Sequence, residues 1–229
     1  MELLYVAFGW LLGQFGQVIM IKFNNVLRRK KVKKTLHVEL EDLRYNMAGI
    51  AQKAHLRYEH PSREFLKWLA CIFGSYSGPE KKRIDIPGMK NELVNLSDSD
   101  LNAFYERHRR TNVVIGVPRQ YLPYLEQQLD AISLFSIEVQ RTLLNIICQL
   151  HVLNHVIGSI EWHYKKTFDE TVTDENREAI ESNIDGLSKD VGWRACYMSN
   201  LITDLFNRWN IQDTCHKIRE SLYPQPIPR

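Results

Sequence analysis

Residues 3–23 read LLYVAFGWLLGQFGQVIMIKF, and residues 24–34 continue as NNVLRRKKVKK. The first run is apolar throughout, apart from the amides Gln14 and Gln17 and Lys22 at its far edge. A helix needs about 20 such residues to cross a hydrocarbon core of about 30 Å. Leu3–Phe23 is therefore expected to be a single transmembrane helix. A cleaved signal peptide would start with positive charge, carry a shorter apolar centre and end at a small-residue site. Here Glu2 precedes the run and the positive charge follows it. A helix lying in the interface needs a charged face, and no charge falls within Leu3–Ile21.

The basic residues sort to one side of this run. Lys22, Arg28, Arg29, Lys30, Lys31, Lys33 and Lys34 stand against Glu2 alone, a local balance of +6, while the other 195 residues carry 23 basic and 26 acidic side chains. Cations that flank a span mark its cytoplasmic end. The expected topology is single-pass, with the N-terminus outside and residues 35–222 forming a cytoplasmic domain behind a basic juxtamembrane collar at 24–34. Membrane lipid is the partner this implies, since such a collar is drawn to anionic headgroups. Nucleic acid is not expected, because the excess positive charge hugs the apolar run and leaves no basic face on the domain.

Gly9 and Gly13 form a small-xxx-small pair, with Gly16 nearby. Glycines four apart let two helices approach closely in lipid, and Gln14 and Gln17 offer hydrogen bonds that lipid cannot satisfy. A homo-oligomer or a membrane-protein partner is the expected consequence.

Beyond the collar the periodicity is helical. Leu36, Leu40, Leu43, Met47, Ile50 and Ala54 recur at spacings of four and three, the stripe of a helix packed on other helices. His60-Pro61-Ser62 breaks it, and Ser62 caps a short helix from Phe65 to about Phe73. Ser97-Asp98-Ser99-Asp100 opens another helix, to about Arg110. Val113-Val114-Ile115 is strand-like but short. A short helix is placed at Tyr121–Ile132. Phe135, Val139, Leu143, Ile146, Leu150, Leu153, Ile157, Ile160 and Tyr164 hold a heptad-like stripe. After a polar connection a second stripe runs through Ile180, Ile184, Leu187, Val191, Met198, Leu201 and Leu205, with Asp185-Gly186 bending but not ending it. Two long helices with a short link read as an antiparallel hairpin. A last helix is expected at about Thr214–Leu222, and residues 223–229 are a proline-rich tail, extended or loose. The fold class is all-α: one N-terminal transmembrane helix, then a cytoplasmic bundle built around that hairpin.

Candidate chemistry is sparse. His151 and His155 lie four apart, with Cys148 a turn before and Glu161 and His163 further on, a spacing at which two imidazoles share a metal. A zincin would need Glu directly after the first His, where Val152 stands. The favoured reading places Leu144, Cys148, His151, His155, Gly158 and Trp162 on a second packed stripe. Cys71, Cys148, Cys196 and Cys215 are scattered without a CxxC pair and read as buried thiols in a reducing compartment. No phosphate-binding loop or nucleophile elbow occurs, and no cofactor is expected. The sequence thus describes a membrane-anchored scaffold, sensor or effector. A small metal-dependent hydrolase using His151 and His155, or an accessory subunit of a membrane complex, is the alternative.

Overall fold

The computed structural model describes residues 2–58, 62–78, 95–108, 116–211 and 215–223, with side chains left undescribed at 2–14, 56–58, 104–105 and 107–108. Among them the fold is all-helical, with no strand. Its α-helices are α1 (Glu2–Tyr58), α2 (Arg63–Ser75), α3 (Asp98–His108), α4 (Pro123–Gln127), α5 (Ile137–Lys166) and α6 (Asp174–Arg208), with short 3₁₀ turns at Leu129–Leu134 and Glu220–Leu222.

Helix α1 is uninterrupted for 57 residues. No proline falls before Pro61 to remove a backbone donor, so Asn24-Asn25 leaves no break. Its surroundings change along its length. Residues 15–31 are exposed on every side; from Val32 onward the Leu36–Ala54 stripe is fully buried. Over residues 41–51 burial spreads beyond that stripe, so Glu41 and Arg44 enter the interior with partners. The Glu41 carboxylate accepts from the Ser77 amide (2.9 Å) and hydroxyl. The Arg44 guanidinium donates to Thr203 (3.4 Å) and lies 4.9 Å from the Phe206 ring centre.

Helix α6 is the element that α1 and α5 share: both pack along it more extensively than any other pair of elements packs. The contacts pair Lys33 with Trp209 and Arg44 with Thr203 on the α1 side. On the α5 side they pair Asn145 with Tyr197 and Gln149 with Arg194. All nine members of the Phe135–Tyr164 stripe lie in or against the core. Helix α5 is also long and apolar enough to cross a membrane by length and composition. Its buried residues, from Val139 to Ile160, pack inside the domain, which a core helix of this composition is expected to do.

Caps fall where the sequence puts them. The Ser62 hydroxyl accepts from the Phe65 amide and starts α2, and the Ser97 hydroxyl accepts from the Asp100 amide at the start of α3. The strand-like Val113–Ile115 and the end of the α3 region beyond His108 lie outside the described residues.

Two expectations need correction, and a third is narrowed. The stripe of Leu144, Cys148, His151, His155 and Trp162 faces solvent instead of a neighbouring helix, with Leu144 52% exposed. The described part of Thr214–Leu222 is not an α-helix, because the Ile218 amide and carbonyl are both satisfied by the Asn200 side chain (3.0 and 2.8 Å). Of the two alternatives for the tail, Tyr223 is extended and not loose: it is buried, and its hydroxyl accepts from the Asn200 side-chain amide at 2.5 Å.

Candidate functional site

The collar is the first candidate surface, and it divides between two environments. The Arg28 guanidinium pairs with Asp130 at 2.5 Å, holding that carboxyl below the usual range. The Arg29 guanidinium sits 5.6 Å from the Phe135 ring centre. Lys33 donates to the Trp209 carbonyl at 2.7 Å, over the face of the same residue's ring. These three cations attach α1 to the 3₁₀ turn, the start of α5 and the end of α6. Lys22, Lys30 and Lys31 point to solvent. Gly16 is exposed with open space where a Cβ would sit; Gly9 and Gly13 lie on α1 but outside the residues whose side chains are described.

Lys34 lines a groove of about 540 Å³ with Glu39, Asp42, Asn46, Gln120 and Tyr121. Glu39 caps α4, its two oxygens accepting from the amides of Tyr124 (2.7 Å) and Leu125 (3.0 Å). Partial burial raises its pKa against the pull of those two bonds, so the carboxylate is committed to structure.

The histidines separate. The Asn154 side chain exchanges two hydrogen bonds with the Gln120 backbone (2.9 and 2.7 Å) and so clamps the loop before α4 onto α5. Arg119 is thereby held over Gly158, where an added Cβ would come within 3.1 Å of its guanidinium, and 3.7 Å from Glu161. His155, Trp162 and His163 join Arg119 around an open pocket of about 420 Å³. His151 turns instead toward Glu126, at 3.9 Å. Among the described residues no group of three His, Cys, Asp or Glu side chains is placed to hold a metal ion. The Asn154 amide and the Ser159 hydroxyl complete the lining of the pocket, and that hydroxyl donates to the His155 carbonyl at 3.1 Å, so among the described residues it is not paired to an imidazole base.

The cysteines differ from expectation. Cys71 and Cys215 form a disulfide with Cα atoms 5.6 Å apart, across 144 residues of sequence. Cys148 is exposed and Cys196 buried, both free; burial pushes the Cys196 thiol well above its ordinary range. The bond ties segment 215–223 to α2, and two buried side chains hold the same segment further on. Asn200 is one. The other is His55, whose Nε2 donates to the Leu222 carbonyl at 2.9 Å. No local sequence signal marks this arrangement, because every partner is distant along the chain.

His55 gives this region a pH dependence. Burial lowers its pKa to about 4, opposed by the bond to Leu222. Between about pH 6.5 and pH 4 the unfolded chain binds a proton that the folded chain refuses, so stability falls as pH drops through that window. A shift of this size corresponds to roughly 3 kcal/mol. Urea midpoints at pH 7 and pH 4.5 should diverge in the native protein and converge in His55→Phe; an equal pH response in both would show that His55 is not the group responsible.

No protein-family model, curated protein or solved structure matches this chain.

Proposed function

We propose that this protein is a membrane-tethered, non-enzymatic interaction protein, whose N-terminal helix spans a bilayer and holds a helical head at the cytoplasmic face. The observation that carries this reading is the exposed apolar stretch of α1. Phe15, Val18, Ile19, Met20, Ile21 and Phe23 all face outward, Met20 to 67%, on a helix that continues directly into the core of the head. Apolar side chains displayed all round a projecting helix need a medium other than water. A bilayer supplies it.

In this reading the head is organised by the antiparallel pair α5 and α6, with α1 laid along α6. Because α1 has no break, the head is fixed to the anchor as one rod, and confinement to the surface raises its effective concentration toward partners there. Gly9 and Gly13 are the proposed contact face between spans.

Two features bear on orientation, and they disagree. The collar places the head inside. A disulfide such as Cys71–Cys215 belongs to an oxidising compartment and favours a second reading, with the head outside. The collar is preferred because Lys22, Lys30 and Lys31 stay exposed next to the span, where insertion reads them.

The test uses the full chain. It should resist alkaline carbonate extraction, and a reporter fused after Arg229 should be active in the cytoplasm. Release by carbonate would remove the anchor reading. Reporter activity outside, with Cys71 and Cys215 protected from alkylation, would establish the second orientation.

A further inference from the structure

The collar cations that engage the head do so at the end of it nearest the span, and that end carries half-exposed apolar side chains. Leu129 on the 3₁₀ turn is 51% exposed and Ile137, the first residue of α5, is 54% exposed. Between them lie Asp130, paired with Arg28, and Phe135, beneath Arg29. The contacts with α1 fix the height of this surface. Arg28 is five residues beyond Phe23, a rise of about 7.5 Å in a continuous helix. The polar headgroup layer on each side of a bilayer is roughly 5–8 Å thick. Resting on the anchor reading above, we infer that the 129–137 segment is a foot that lies in the headgroup layer, with Leu129 and Ile137 dipping toward the acyl boundary.

Charge fits the same occupant. Arg28 and Arg29 border the segment; the Glu138 carboxyl is held below its usual range first by its own backbone amide and the Ser136 hydroxyl, with Arg208 and Arg141 adding to the pull. Of the two carboxylates here, Asp130 is paired with Arg28. Apolar side chains rimmed by cations are what an interfacial segment presents to anionic lipid. The foot adds a second attachment of the head to the membrane and sets its tilt.

The test places a photoactivatable diazirine residue singly at Ile19, Leu129, Ile137 and Phe168 of the full-length protein, in vesicles of phosphatidylcholine and phosphatidylglycerol. Phe168 is exposed just past the far end of α5, about 45 Å from Ile137 along the helix. All four sites are exposed, so none disturbs the core. Lipid adducts at Ile19, Leu129 and Ile137, and none at Phe168, are expected. Adducts at Ile19 with Leu129 and Ile137 as unlabelled as Phe168 would overturn the foot and leave the anchor intact. Absence of lipid at Ile19 would remove the anchor and the foot together. Crosslinks from Leu129 and Ile137 to protein instead of lipid would also overturn the foot.

Discussion

Leu150→Ala should lower the unfolding free energy of the head by about 2–5 kcal/mol, while Leu144→Ala, six residues earlier on the same helix, should change it by less than about 0.5 kcal/mol. The side chains are identical, so the contrast isolates burial. Leu150 is 1% exposed in the middle of the α5 stripe, and its truncation leaves a cavity that the surrounding packed helices fill only in part. Leu144 points to water. Urea unfolding of the full chain in detergent, followed by tryptophan fluorescence, reads both variants on one scale. Equal effects would mean that the face of α5 turned toward α6 is misplaced.

Asn200→Ala should cost about 2–4 kcal/mol, for a different reason. The side chain is buried and makes three hydrogen bonds: it donates to the Ile218 carbonyl and the Tyr223 hydroxyl, and accepts from the Ile218 amide. Removing it strands these groups away from water, and stranded partners cost more than the lost bond is worth. The damage should also be local. Cys215 remains tied to Cys71, so residues 218–223 come loose while the start of the segment stays in place. Faster hydrogen exchange at Ile218 and Leu222, with α5 protected, is the expected pattern. A stability change within about 0.5 kcal/mol would show that solvent already satisfies these groups.

The helical stripes were readable because helix periodicity is local: each apolar residue lies three or four positions from the next, so that spacing puts Leu36, Leu143 and Val191 each on an apolar face, and the fold buries all three. The caps at Ser62 and Ser97 were readable for the same reason, since donor and acceptor are three residues apart. The second stripe on α5 failed this logic. Leu144, Cys148 and Trp162 keep a helical spacing, yet among the described residues they stay exposed, while the Leu143–Ile160 face is the buried one. Spacing tells which residues share a face and says nothing of whether that face has a neighbour.

The sequence by itself determined the helical class, the apolar N-terminal run and the basic cluster behind it, since each depends only on residues adjacent or one turn apart. Only the tertiary structure decided that α6 lies between α1 and α5, that Arg28, Arg29 and Lys33 are spent on the head, and that Cys71 meets Cys215. It also decided that the chain after Cys215 is held by Asn200 and His55, with a single 3₁₀ turn at Glu220–Leu222 in place of an α-helix. The reason is physical: a contact between residues far apart in sequence exists only once every intervening helix has a length, a direction and a packed face, and no one segment carries that information.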